Sequence, residues 1–236
     1  MLQSVAGHDA SDPGSIDAPP QDYVAAVNRQ VRGLRIGIVR DWYETEVQAV
    51  ESVIKAMNRS IEVLASLGCT LKDVSLPSMR DFTDCKTPIS LSEIYAVHEN
   101  DLKTRPRDFG HSLRWRIMPG ALIRAEDYIQ AMRLRTELAR SLQAVLATVD
   151  LLMLPTAEPA GKLEPVPHSS LFTRPSLTAA FNVGGNPALS VCSGFDTRGL
   201  PFSLQIVGRL FDEPTVLRAG DAYEKATPWR DKRPVL

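Results

Sequence analysis

FNVGGNPALSVCSGFDTRGLPFSLQIVG, residues 181–208, joins two short apolar runs through glycine-rich punctuation. Ala188 to Cys192 and Phe202 to Val207 read as strands, each short, apolar and bounded by turn-forming residues. Gly184 and Gly185, ahead of the first run, permit positive φ or close backbone approach. Gln205 stands between Leu204 and Ile206, so its amide must find a partner across the sheet or beyond it.

Working upstream, LLMLPT (151–156) reads as a buried strand ended by Pro155, and the proline-punctuated stretch Pro155 to Pro175 as a loop. A long helix is predicted from Ala125 to Val149, with apolar residues at Tyr128, Met132, Leu138, Leu142, Val145 and Val149. Leu34 to Arg40 and Cys69 to Leu76 are predicted strands. Between them Val47, Val50, Ile54, Met57, Ile61 and Leu64 step by three and four, and Gly68 stops the helix they define. Strand, helix, strand predicts a right-handed βαβ unit. Downstream, Asp212 caps a final helix whose Pro214 is tolerated in the first turn. The expected fold class is α/β, a mixed β-sheet flanked by helices.

Ser4 to Gln21, with Asp12-Pro13-Gly14 and Pro19-Pro20, favours turns and extended backbone. Residues 1–30 are therefore expected to be a connection from a part of the protein upstream, and residues 31–236 the domain it leads into. With 44% hydrophobic and 23% charged residues, 236 residues suffice for a sizeable core. A formal charge of -1 gives no field to hold a polyanion. Cys69, Cys85 and Cys192 lack C-x-x-C spacing, and their odd number fits a reducing, cytoplasmic setting. No run approaches the roughly 20 apolar residues of a membrane span, so no membrane partner is expected.

The 181–208 segment resembles the C-terminal core of the amidase signature family, as do DPGSIDAPPQDY (12–23), VRGLRIGIV (31–39), LRTEL (134–138) and DLLMLPT (150–156). The resemblance implies a partial amidase-signature fold and hydrolysis of carboxamides by a Ser, cis-Ser, Lys triad held in a Gly/Ser-rich loop. No such loop occurs between Met1 and Leu236. The triad is thus expected upstream of Met1, leaving this chain with no catalytic residue of its own. On the same basis Arg135, Tyr128, Phe181 and Asn182 are the expected substrate-binding residues. An Arg in the matching motif contacts substrate carboxylate in glutamine-using relatives; read from its position alone, Arg135 lies on an apolar helix face, where an internal ion pair is the first expectation and a role facing a ligand the second. Those relatives also carry an Asp near the position of Pro175 or Ser176. Here no acid lies between Glu164 and Asp196, which argues against a glutaminase.

Other chemistry reads as coincidental. Ser52 and Lys55 have S-x-x-K spacing, but within a long helix and without the partner motifs. Cys192, where family members commonly have Pro, reads as a buried strand residue, with His168 the only base suggested for it. His8, His98, His111 and His168 are scattered, so no metal site is expected, and no cofactor either, since the first βα turn at Arg40 to Tyr43 has no phosphate-cradling glycines. Arg105, Arg107, Arg114, Arg116 and Arg124, interleaved with Phe109, His111 and Trp115, have an RNA-binding composition. Asp101, Asp108, Glu126 and Asp127 dilute that charge, and no nucleic-acid partner is expected.

The resemblance therefore implies the C-terminal portion of a hydrolase acting on a small carboxamide through an acyl-enzyme, inactive in isolation, whose partner is the missing N-terminal catalytic half. The alternatives are a noncatalytic scaffold or binding protein, including as a homodimer, or an A-type remnant of a tRNA-dependent amidotransferase.

Overall fold

The structure, a computed structural model, describes residues 1–19, 21–157 and 176–233. The chain divides into two compact units: Met1–Ser75 with Ala144–Pro159 and Gly185–Leu236, and Leu76–Gln143 with Ala160–Gly184.

The first unit carries the sheet. After the one-turn helices α1 (Leu2–Val5) and α2 (Tyr23–Ala26), strand β1 (Arg35–Ile38) is followed by α3 (Glu51–Ser66) and β2 (Thr70–Asp73). β1 runs parallel to β2 on one side and to β3 (Leu151–Pro155) on the other. β4 (Ala188–Phe195) and β5 (Pro201–Gly208) form an antiparallel pair, and β5 also lies antiparallel to β3, giving the order β2-β1-β3-β5-β4. This is the expected mixed sheet with flanking helices. β3 is central and all five of its residues are buried, which explains its unbroken apolar sequence where a one-sided strand would alternate.

The expected elements form with adjusted limits and two physical corrections. α3 starts at Glu51, because Trp42–Glu46 winds as a π-helix and Gln48 sits at φ 53°. Its buried positions are Val53, Ala56, Met57, Ser60 and Leu64, whereas Val50 is 49% exposed. The buried face is thus rotated from the one drawn through Val47, Val50, Ile54 and Ile61. The rotation follows from a polar pair that an apolar count misses: buried Ser60 Oγ donates to Ala56 O at 2.9 Å and lies 2.8 Å from the Tyr223 hydroxyl. Gly68 ends α3 as expected, at φ 89°, with Cys69 N–H donating to Leu64 O and Gly68 N–H to Ala65 O, the paired bonds of a Schellman stop.

The second correction concerns the last helix (Glu213–Lys225). Asp212 occupies its N-cap position, but the side chain makes no capping bond. Its backbone conformation, φ -109° and ψ 44°, lies outside the extended region typical of a capping residue.

The second unit is helical. α4 (Met79–Thr104) runs for 26 residues, then come α5 (His111–Ile117), α6 (Ala125–Leu146, which ends short of Val149 and whose last turn belongs to the sheet unit) and α7 (Ala179–Gly184); the last helix is α8. Met79, Phe82, Ile117 and Leu142 are fully buried. No apolar stripe announces α4, and Pro88 interrupts it, removing one backbone donor from its ladder. Most of the predicted loop Pro155 to Pro175 lies outside the described residues.

Candidate substrate-binding site

Within the helical unit, one face of α4 presents Lys86, Ile89, Ser90 and Glu93, at the i, i+3, i+4, i+7 spacing that aligns side chains on a helix. With Arg135 of α6 and Asn182 and Val183 of α7 these residues line a cavity of about 200 Å³. Arg135 Nε donates to the Val183 carbonyl at 3.0 Å, so the half-buried guanidinium is fixed to a backbone group. No carboxylate among the described residues pairs with it, so the internal ion pair is not what holds it. Val183 is next to last in the six-residue α7, and its carbonyl has no later helical turn to bond, which leaves it free for the cation.

Of the four expected binding residues, Arg135 and Asn182 meet in this cavity. Tyr128 is tied to it indirectly, its hydroxyl donating to Glu93 Oε1 at 3.4 Å. Phe181 is 3% exposed and packs into the core, while the following Asn182 is exposed. Gly185, at φ 76°, supplies the positive-φ turn after α7.

The cavity is electrostatically biased. Burial pulls the Lys86 ammonium below its usual range, and the Arg116 guanidinium lowers it further. Burial pushes the nearby Cys85 thiol up, partly offset by the charge of Arg135, and its Sγ donates to Ala131 O at 3.4 Å. Lys86 and Arg135 thus contribute two cations against the single carboxylate of Glu93, an arrangement that favours an electron-rich group such as a carboxamide oxygen.

Lys86, Ile89, Ser90 and Glu93 went unread in the sequence. Their four-position spacing was visible, but nothing marked residues 79–104 as a helix on which spacing has meaning.

The remaining candidates resolve locally. Lys55 is held by Glu51 at 2.7 Å, which occupies the base of the S-x-x-K pair. Cys192 is half-buried, not buried, because strand alternation puts it on the face of β4 that Ala188 and Ser190 expose. His168, suggested as its base, lies outside the described residues. In the basic segment Lys103 pairs with Glu99, Arg105 with Asp101 and Asp108, Arg124 with Glu126 and Asp127, and Trp115 Nε1 donates to His111 Nε2 at 3.0 Å. Gln205 is buried, its backbone opposite Leu154 and Ser190. Among the described residues no group of three His, Cys, Asp or Glu can hold a metal ion, and no helix is long and apolar enough to cross a membrane. Three larger hollows, about 500 Å³ against the N-terminal segment, about 580 Å³ beside Trp115 and Met118 and about 380 Å³ beside Arg59 and Trp229, contain none of the expected binding residues.

A family model described as Amidase matches residues 1–217. The chain is 36% identical over 264 residues to the A-type subunit of glutamyl-tRNA(Gln) amidotransferase from Chloroflexus aggregans, covering 100% of this chain and 53% of that protein. It is 35% identical over 248 residues to an amidase of Pseudomonas putida, covering 100% and 52%. Among solved structures it is similar to 6-aminohexanoate cyclic dimer hydrolase (TM-score 0.81, 22% identity, 99% of this chain and 53% of that one). It is also similar to the A-type subunit of the Thermotoga maritima glutamyl-tRNA(Gln) amidotransferase (TM-score 0.70, 26% identity, 94% and 49%). The chain spans about half the length of the curated relatives it matches.

Proposed function

This chain belongs to the amidase family, and from that premise we propose that it forms the substrate-pocket portion of a hydrolase cleaving the C–N bond of a small carboxamide. The reaction runs by attack of an activated serine on the amide carbonyl, formation of an acyl-enzyme and its hydrolysis by water. Residues 1–30 serve as the connection and residues 31–236 as the C-terminal part of the amidase domain. The nucleophile comes from outside these residues, and the isolated chain does not turn over. Three free cysteines, two of them buried, suit a reducing cytoplasm.

The observation that carries this reading is Arg135 held by the Val183 carbonyl at 3.0 Å in a cavity shared with Asn182 and Lys86, inside an amidase fold. The guanidinium positions the substrate, Asn182 offers an amide donor and acceptor, and the Lys86 charge biases the mouth toward electron-rich groups.

The test fuses the part of the Pseudomonas putida amidase that this chain does not match to residues 1–236. The fusion is expected to hydrolyse simple amides, and Arg135→Ala to raise KM at least about tenfold with little change in kcat, as loss of uniform binding does. The isolated chain is expected to give no turnover and no acylated side chain. Hydrolysis by the isolated chain, or an unchanged KM in Arg135→Ala, overturns the reading.

A second reading, an A-type component of a tRNA-dependent amidotransferase, is favoured by the 36% identity to the Chloroflexus aggregans protein. Against it stands the absence of any acid between Glu164 and Asp196.

A further inference from the structure

Arg59 and Glu62 stand three positions apart on α3, a spacing at which a base followed by an acid can pair. Two other pairs of the same order and spacing close: Arg105 meets Asp108 at 3.4 Å and Arg124 meets Asp127 at 3.1 Å. One turn earlier on α3 itself, Lys55 closes on Glu51 at 2.7 Å. Arg59 and Glu62 do not meet, and among the described residues neither has another ion-pair partner.

The Arg59 guanidinium is turned instead toward Gly194 of β4. A Cβ on Gly194 would lie 3.5 Å from Arg59 Nη2 and 3.9 Å from Trp229 Cζ2, so cation and indole converge over a residue with no side chain to separate them. There a hollow of about 380 Å³ opens, lined by Arg59, Glu62, Val63, Ser193, Tyr223 and Trp229 among others. Its floor is held in place. Ser60 Oγ gives its hydrogen to Ala56 O, so the Tyr223 hydroxyl donates to Ser60 and is left to accept from the Trp229 indole, with which it hydrogen-bonds. Phe195 meets the same indole edge-on, with ring centroids 6.0 Å apart. Ser193, 2% exposed, adds a hydroxyl to the lining.

We propose that this hollow binds a free α-amino acid with an apolar side chain. Such a ligand carries carboxylate and ammonium on one carbon, and together they span the gap between a cation and an acid whose Cβ atoms stand about 5–6 Å apart on a helix. Arg59 and the Ser193 hydroxyl take the carboxylate, Glu62 takes the ammonium, and the side chain lies on the Trp229 ring beside Val63. A simple anion would meet Glu62 and a simple cation would meet Arg59, so the lining favours both charges together. Every lining residue belongs to the sheet unit and none to the Arg135 cavity, so the proposal stands apart from the amidase reading.

The 236-residue chain, labelled with nitrogen-15, is titrated with L-leucine while the indole N–H signals of Trp42, Trp115 and Trp229 are followed by NMR. The Trp229 signal is expected to move and saturate with a Kd of roughly 1–10 mM, and the other two to stay in place. 4-Methylpentanoate lacks the ammonium and isoamylamine the carboxylate, and each is expected to bind at least about fivefold more weakly than leucine. Glycine keeps both charges without a side chain and is expected to lose at least as much, about fivefold or more. Arg59→Gln and Glu62→Gln replace exposed residues and are expected to weaken leucine at least about fivefold, with leucine and 4-methylpentanoate becoming alike in Glu62→Gln. The unmoved signal of buried Trp42 verifies the fold of each variant. A Trp229 signal that does not saturate by about 100 mM leucine overturns the proposal. So does equal binding of any of the three analogues to the parent chain, or undiminished leucine binding in either variant.

Discussion

Asp150 clasps Arg35 at three points: Oδ2 accepts from the backbone N–H at 2.9 Å and from Nε at 3.2 Å, and Oδ1 accepts from Nη2 at 2.8 Å. Arg209 Nη2 reaches the same Oδ1 at 2.9 Å, while its Nε and Nη2 donate to the carbonyls of Leu146, the last residue of α6, and Val149 beyond it. One carboxylate thereby ties the start of β1, the entry to β3 and the exit of β5, the three strands at the middle of the sheet.

These bonds, the Arg35 side-chain bond above all, hold the Asp150 carboxyl down at about 2. A depressed pKa contributes stability that is present above the unfolded value of about 3.9 and is lost as pH falls through the folded value. Unfolding free energy is therefore expected to decline between about pH 5 and pH 2, by roughly 2 kcal/mol from this group. Asp150→Asn should lose a similar amount at pH 7 and flatten the acid limb. Denaturant titrations across pH check both, and an unaltered acid limb in Asp150→Asn sinks the assignment.

Gly120 is buried, and a Cβ there would lie 2.3 Å from Leu91 O and 2.6 Å from Tyr95 Cβ, atoms that α4 fixes in place. At Gly220 the closest atom is equally near, 2.3 Å, but it is Leu189 Cδ2, the free end of a side chain. Gly120→Ala is expected to cost about 3 kcal/mol, the upper range of overpacking, and Gly220→Ala about 1. Thermal unfolding of the two variants gives the order; equal losses contradict it.

Two buried tyrosines should respond in opposite ways to loss of the hydroxyl. Tyr223 shares its hydrogen with Ser60 at 2.8 Å, whereas the Tyr43 hydroxyl has no hydrogen-bond partner among the described residues. Burial pushes the Tyr43 phenol up to about 12. Tyr223→Phe is expected to destabilise by about 1 kcal/mol, the hydrogen bond to Ser60 being lost while Ser60 keeps its bond to Ala56 O, and Tyr43→Phe to be neutral or stabilising. Urea midpoints decide the matter, and a larger loss in Tyr43→Phe would refute it.

Legibility along the chain tracked how far each signal is local. β3 showed itself because a strand buried on both faces must be apolar throughout, and the Gly68 stop because only glycine enters φ 89° without strain. α3 was recognised as a helix but its buried face was misplaced, since the Ser60 hydroxyl became core only through Tyr223, 163 positions away. α4 passed unnoticed, its residues sorting into no stripe and Pro88 breaking its run.

The amino-acid order was enough to specify strands, helix stops, the lack of a nucleophile loop and the family, because each is written in neighbouring residues. What folding alone decided is which of those residues share a space. The Val183 carbonyl meets Arg135 across 48 positions, and Lys86 and Glu93 join them from a helix with no sequence mark. A hydrogen bond acts over about 3 Å, and no local pattern encodes which distant groups packing will bring that close.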